Sequence, residues 1–116
     1  MKLQKALSIE AKPVEDPQAK SVTMRMLVGP DDGAPNFNMR LFEVAPGGWT
    51  PRHKHDWEHE VYVLKGSGTV FADGKEHSLS AGDCIFIPPN DEHQFINTGD
   101  EPLMFLCIVT QKQPQK

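Results

Sequence analysis

Residues 53–59 have the sequence HKHDWEH, which places three of the chain's five histidines within one short stretch. On a β-strand, residues two apart point to the same face with Cα atoms roughly 6.5–7 Å apart, so His53 and His55 can share one metal ion. His59 has the same parity, but a straight strand would carry it about 13 Å beyond His55. We therefore expect a bend at Asp56 and Trp57 that returns His59 to the same ion.

The flanking residues extend this stretch into a longer pattern. Five residues separate Gly47 from the first of these histidines, and six residues separate the third from Gly66. A second pattern, GDCIFIPPNDEHQFIN, occupies residues 82–97 and contributes His93 as a fourth candidate ligand. His93 falls on another predicted strand, so a shared site requires the fold to bring the two patterns together.

In these two patterns the sequence resembles the cupin superfamily, and in particular the small single-domain bacterial cupins of the cupin-2 conserved-barrel type that have four histidine ligands. The resemblance spans residues 37–109. It implies an all-β, jelly-roll-like barrel (a double-stranded β-helix of two antiparallel sheets) with a divalent metal in its mouth, and commonly a homodimer. The metal ligands that it implies are His53, His55, His59 and His93.

Two positions depart from the usual family pattern. The family has Glu where this chain has His59, and Glu60 follows with the opposite strand parity. A register in which Glu60 binds the metal and His59 does not stays open. The second departure is Asn90, where the family prefers Gly. Asparagine tolerates left-handed backbone better than other non-glycine residues, so we expect the turn to be retained.

The rest of the chain favours one domain of short strands. Its 116 residues are enough to bury a core. Asp73-Gly74 lies between two extended runs and predicts a hairpin, in which His77 is a surface residue. We predict an N-terminal arm over 1–20, a barrel over 21–110 and a C-terminal tail over 111–116. The predicted strands cover 22–28, 37–44, 58–65, 68–72, 84–87, 92–97 and 103–109.

Composition restricts the partners. A net charge of -4, from 16 acidic and 12 basic residues, argues against a nucleic-acid partner. No run approaches the roughly 20 apolar residues of a membrane span, and the N-terminus lacks an apolar signal segment, so we predict no membrane partner and no secretion. Cys84 and Cys107 both lie in apolar runs, which favours buried, reduced thiols in a cytoplasmic protein.

An all-imidazole shell suits one divalent transition metal. Zn, Cu, Fe and Ni accept neutral imidazole, and Mn accepts it with weaker affinity. The resemblance favours Mn or Fe, with two positions open if the ion is six-coordinate. Strand alternation places Phe105 and Cys107 on one face, and places Arg40 either in solvent or in a polar cavity. We predict that Arg40, Phe105 and Cys107 line the barrel mouth, with Arg40 gripping a substrate carboxylate.

Three functions are compatible with these residues. The first is a metal-dependent oxidoreductase, dioxygenase-like, acting on a small oxygenated organic molecule; an isomerase or lyase on a sugar or keto acid is a variant. The second is a non-catalytic module that binds a small ligand. The third is a closed tetrahedral zinc site that only stabilises the barrel. The enzyme hypothesis has no obvious general base beyond Asp56, Glu58 or a metal-bound hydroxide.

Overall fold

The computed structural model describes residues 1–112, and residues 113–116, which hold most of the predicted C-terminal tail, lie outside the described residues. Each of the seven predicted runs overlaps a strand of the structure. The two strands without a predicted range are a short one in the arm and the second strand of the Asp73-Gly74 hairpin. The strands are β1 (Lys12–Pro13), β2 (Lys20–Val28), β3 (Phe37–Trp49), β4 (His59–Lys65), β5 (Ser67–Ala72), β6 (Lys75–Ser80), β7 (Cys84–Ile87), β8 (Gln94–Ile96) and β9 (Leu103–Thr110), with short 3-10 helices at Ala6–Ser8 and Pro30–Asp32.

The strands pair antiparallel in the order β6-β5-β8-β3-β9-β4-β7, with β2 on β3 and β1 on β2. Strand β3 is 13 residues long, and it belongs to both halves of the barrel. Its first eight residues pair with β9, whereas Trp49 at its end pairs with Ile96 of β8. The strands therefore form one curled sheet, which confirms the predicted all-β barrel.

The predicted hairpin is confirmed. Ala72 and Lys75 are paired across a two-residue turn. Asp73 (φ 55°) and Gly74 (φ 75°) are both left-handed, as a type I′ turn requires. His77 on β6 is exposed, as predicted.

The core lies inside the curled sheet and follows the two-residue period of the strands. Strand β9 buries every second residue, from Leu103 to Val109, and turns the others outward. Phe105, which is 2% exposed, stacks on Phe95 with ring centroids 4.4 Å apart and on Phe42 at 5.4 Å. These aromatic rings form the apolar layer next to the histidines.

The two cysteines differ in exposure. Cys107 is buried, but Cys84 is exposed, so the prediction that both are buried is wrong for Cys84. Strand β7 alternates, with Ile87 buried and Ile85 half-buried on the inner face while Cys84 and Phe86 point outward. The apolar run around Cys84 thus has one inward and one outward face, so apolar neighbours in sequence do not imply that a residue is buried. The cytoplasmic location stays a prediction.

The N-terminal arm lies against the barrel. Strand β1 pairs with β2, and the Val14 amide donates to the Val22 carbonyl at 3.0 Å. The Trp49 indole Nε1 donates to the Gln18 carbonyl at 2.9 Å, and Val14 and Ala19 pack on the core. Within residues 1–112 we find no helix with the length and apolarity needed to cross a bilayer.

Candidate metal centre

Backbone hydrogen bonds bring the two sequence patterns together. Beyond β3, the Thr50 amide donates to the Phe95 carbonyl at 2.9 Å, and the Phe95 amide donates to the Thr50 hydroxyl at 2.8 Å. Further along, His53 and His93 exchange both backbone hydrogen bonds, at 3.2 and 2.9 Å. These two residues form an isolated antiparallel bridge, so their side chains leave the backbone side by side.

A bend brings the rest of the first pattern to the same place. The chain bends at Asp56 and Trp57, as predicted, and β4 begins at His59. The Asn90 amide donates to the His55 carbonyl at 2.6 Å. Asn90 is left-handed, with φ 68°, so the expectation that asparagine supports this turn is confirmed. The Trp57 indole stacks on the His55 ring, with centroids 4.2 Å apart and planes within 6°.

Three of the four predicted ligands form a compact trio. Ring nitrogens of His53, His55 and His93 lie within 4.8 Å of one another, close enough for one ion. His59 is next to this trio but not part of it at that spacing. Its ring centroid lies 4.9 Å from that of His55 and 4.7 Å from that of His93. The structure thus brings three histidines to one point and places the fourth beside them.

The ring nitrogens of His93 and His59 show which atoms face the centre. Nδ1 of His93 lies 2.9 Å from the Asp91 carbonyl oxygen. Since a carbonyl only accepts, Nδ1 carries the proton and Nε2 keeps its lone pair. Nδ1 of His59 lies 3.2 Å from Sγ of Cys107, whereas its Nε2 is buried with no hydrogen-bond partner among the described residues. Such a nitrogen fits a metal ligand, because an unpaired buried polar atom costs about 1–3 kcal/mol.

Glu60, the alternative ligand, lies on the other side of the strand. His59 is 7% exposed, whereas Glu60 is exposed on the outer face. Partial desolvation of the carboxyl, followed by the hydrogen bond to Glu58 and repulsion from it, raises the pKa of Glu60 to about 7. Strand parity keeps its carboxyl away from the histidines.

A cavity of about 260 Å³ opens onto the four histidines. Arg40, Phe105 and Cys107 all line it. Nη2 of Arg40 donates to Sγ of Cys107 at 3.1 Å, and its guanidinium lies 4.9 Å from the centre of the Phe42 ring. The rest of the lining is mostly apolar or aromatic and consists of Val14, Asp16, Val22, Met24, Phe42, Thr50, Pro51, Trp57 and Phe95.

Burial favours the neutral form of three of the four imidazoles. It is the largest cause that lowers the pKa of His53, His59 and His93, and for His59 the pKa falls to about 3. Repulsion from His93 adds to the lowering at His53 and at His59. Burial also raises the pKa of the Cys107 thiol, against the opposing effect of Arg40. Neutral imidazoles are the form that binds a metal.

The lowered pKa of His59 predicts how the metal-free protein responds to acid. Its ordinary value is 6.5 and its folded value is about 3, so below pH 6.5 the unfolded chain takes up a proton that the folded chain refuses. The free energy of unfolding therefore falls as the pH drops from 6.5 towards 3. Urea midpoints at pH 7 and pH 4.5 should differ more for the wild type than for His59→Gln. Equal differences would contradict the account.

Sequence reasoning missed the part of the site that comes from the arm. Val14 and Asp16 line the cavity together with Val22 and Met24 of β2. The sequence of residues 1–20 does not predict this contact, because a polar segment of this kind can either lie over a cavity or extend freely from the barrel. Asp16-Pro17 favours a turn, but turn chemistry does not show what the turn packs against.

Comparison with known proteins agrees with this geometry. A family profile described as a cupin domain (cupin-2) matches residues 40–109. The chain belongs to the cupin family. Among solved structures, this cupin is similar to the polyketide cyclase RemF from Streptomyces resistomycificus, with a TM-score of 0.93 and 37% identity, covering 99% of this chain and 82% of that one. A predicted oxalate decarboxylase from Thermotoga maritima gives a TM-score of 0.84 at 26% identity, covering 94% of this chain and 98% of that one.

Curated relatives extend the range of activities. Auxin-binding protein 1 of Arabidopsis thaliana is 43% identical over 87 residues, which is 67% of this cupin and 44% of that protein. A 1-methylthio-D-xylulose 5-phosphate methylsulfurylase of Rhodospirillum rubrum is 38% identical, over 61% of this chain and 46% of that one. The chain therefore spans about half the length of these relatives. Enzymes and binding proteins both occur in the family, and divalent metals are common in it.

Proposed function

We propose that this cupin is a metal-dependent enzyme that binds a small oxygenated organic anion beside one divalent transition metal. The observation that carries the proposal is the histidine trio, with ring nitrogens within 4.8 Å, at the wall of a cavity that also contains Arg40. We assign four ligands, because the buried, unpartnered Nε2 of His59 is explained by a metal. The assigned ligands are His53, His55, His59 and His93.

The charges of the site favour an anionic ligand. Four imidazoles add no negative charge, so a bound divalent ion would keep its full charge and act as a Lewis acid towards ligand oxygens. Arg40 adds a second positive charge on the cavity wall, where its buried Nε has no hydrogen-bond partner within residues 1–112. A guanidinium that lines a cavity can hold a carboxylate or a phenolate through paired hydrogen bonds.

The walls of the cavity favour a flat, largely apolar molecule. Phe42, Phe95 and Phe105 stack in series on one side, and Trp57 covers His55. Such walls exclude water and bury ring faces. We therefore propose an aromatic or conjugated molecule with hydroxyl, keto or carboxylate oxygens as the ligand class.

For the reaction we propose a dioxygenase-like oxidation with Mn or Fe, which needs dioxygen as co-reactant. Isomerase, lyase or cyclase chemistry is the variant in which the metal only polarises the substrate; the similarity to a polyketide cyclase over 99% of the chain supports it. The second candidate function is a non-catalytic binding module, which the 43% identity to an auxin-binding protein favours.

Turnover with defined metals separates these functions. The protein would be loaded with Mn, Fe or Zn and given a panel of aromatic hydroxy acids and keto acids, with oxygen consumption and product masses recorded. We expect metal-dependent product formation. Metal-dependent binding without turnover under any metal would favour the binding module, and neither binding nor turnover would contradict both.

Replacement of Arg40 tests the anion site within the same assay. We expect Arg40→Gln to weaken binding of carboxylate ligands about tenfold or more, because a hydrogen bond to a charged group contributes about 1.5–3 kcal/mol. Arg52→Gln is the matched control, since Arg52 is a surface arginine outside the cavity lining. Equal effects of the two variants would contradict a role for Arg40 in ligand binding.

We further propose that the chain forms a homodimer through the outer face of β4, β7 and β9. Tyr62, Leu64 and Phe86 are 47%, 45% and 60% exposed there, and strand alternation puts Leu106 and Ile108 on the same face. Contiguous exposed apolar side chains are typical of interfaces. Sedimentation should give a mass near twice 13.0 kDa, and a monomer at all concentrations would contradict the proposal.

A further inference from the structure

The N-terminal arm places one acidic side chain in the wall of the cavity. Asp16 and Val14 line the cavity that holds His53 and Arg40, although the family match begins only at residue 40. Among the residues that line this cavity in the described chain, Asp16 is the single carboxylate and Arg40 the single arginine or lysine. The arm therefore contributes the negative charge that the barrel itself does not provide.

Hydrogen bonds fix the position of this carboxylate. Oδ1 of Asp16 accepts from the Gln18 amide at 2.8 Å, and its carbonyl accepts from the Ala19 amide at 2.9 Å. The Gln18 carbonyl in turn accepts from Nε1 of Trp49 at 2.9 Å. On the other side of Asp16, the Val14 amide is bonded to β2 at 3.0 Å. The arm is thus fastened on both sides of Asp16, and the carboxylate stays over the cavity.

The charge of Asp16 acts on the histidine site. Asp16 lines the same cavity as the four histidines. A carboxylate on the wall of a largely apolar cavity stabilises a cation held in that cavity, because their attraction is screened less there than in bulk water. The same charge repels an anion that enters the cavity towards Arg40.

We propose that Asp16 is the charge-selecting residue of the site, which strengthens metal binding by the histidines and weakens binding of anionic ligands in the cavity. The inference rests on the proposed metal site. It assigns the arm a function in selectivity: ligands that carry one anionic group and an uncharged hydroxyl towards the arm are favoured over ligands with more negative charge.

The test uses Asp16→Asn, which removes the charge and keeps an oxygen acceptor for the Gln18 amide. Glu15→Gln is the matched control, because it removes the same charge from the neighbouring exposed residue outside the cavity lining. Titration calorimetry would measure Mn²⁺ and Zn²⁺ binding to the metal-free full chain, and then benzoate and phthalate binding to the metal-loaded chain. Thermal unfolding would verify that all variants fold.

We expect Asp16→Asn to weaken metal binding at least about fivefold and to tighten phthalate binding by a similar factor, with a smaller gain for benzoate. Glu15→Gln should change each dissociation constant less than twofold. Unchanged constants in Asp16→Asn, or metal and anion affinities that both fall, would overturn the inference, since a purely structural arm weakens both. A wild-type chain that binds neither metal would overturn the proposed metal site and the inference with it.

Discussion

Replacement of His93 by alanine is expected to lower the affinity for divalent metal by more than about 100-fold. Loss of a partner that merely orients a metal ligand costs about 10–100-fold, and His93 is assigned as a ligand itself. Its ring contacts those of the other three histidines, with centroids 5.0, 5.2 and 4.7 Å from those of His53, His55 and His59. It is also 4% exposed, so no nearby surface residue can replace it.

His77→Ala is the control for this variant. His77 is exposed on β6, and its Nε2 contacts the Ala72 carbonyl of the same hairpin at 3.2 Å. The substitution removes one imidazole from the chain but changes no residue that lines the cavity. Metal titrations of both variants against the wild type measure the difference. An affinity of His93→Ala within a few-fold of the wild type would contradict the assignment.

Replacement of Gly66 by alanine is expected to destabilise the fold by about 2–5 kcal/mol. Gly66 is left-handed, with φ 88°, and a Cβ would lie 2.4 Å from the Pro102 carbonyl oxygen and 3.0 Å from the Cα of Leu103. Left-handed backbone costs about 1–2 kcal/mol for a residue with a side chain. The clash adds about 1–3 kcal/mol, because backbone atoms at the start of β9 must move.

Gly74→Ala separates these two effects. Gly74 is also left-handed, with φ 75°, but among the described residues no atom outside Gly74 and its two chain neighbours lies within 4 Å of the position of its Cβ. It should therefore show only the backbone cost, about 1–2 kcal/mol. Urea unfolding of the two variants gives the comparison. Equal losses would mean that the close approach of Pro102 to Gly66 contributes nothing to stability.

The glycine, proline and histidine spacings predicted most of the fold, because they mark positions where backbone geometry restricts the residue type. Residue 66 must be glycine because its φ is positive and because the Pro102 carbonyl lies close to where a Cβ would be. Asn90 adopts the left-handed backbone expected there. Asn97, the last residue of the second pattern, is 1% exposed, and its Nδ2 donates hydrogen bonds to the Val44 and Glu101 carbonyls. The left-handed backbone of Gly66 and Asn90 is a local constraint, so it can be predicted from residues close in sequence.

Which of His59 and Glu60 faces the inside of the barrel was also predictable from the sequence. The two-residue period of a strand sends neighbours to opposite faces, and the structure buries His59 and exposes Glu60. The distances within the cluster were not accessible. They depend on how far β4 lies from the His53–His93 bridge, which is determined by barrel curvature.

Contacts between distant segments explain what sequence reasoning missed. Asp16 lies at the cavity because β1 pairs with β2 and because Nε1 of Trp49 donates a hydrogen bond to the Gln18 carbonyl. The outward direction of Cys84 follows from its register opposite Tyr62. Neither pairing can be predicted from the local sequence, because the arm is polar and the strand Cys84–Ile87 has apolar residues on both of its faces.

The central claim is that imidazoles from both sequence patterns hold one metal in this cupin. X-ray absorption spectroscopy of the purified protein, with elemental analysis of the same sample, tests it most directly. We predict about one divalent transition metal per chain, with about four imidazole nitrogens near 2.0–2.2 Å and additional oxygen ligands. A sample that stays metal-free after incubation with Mn, Fe and Zn, or a metal with fewer than three imidazole ligands, would contradict the account.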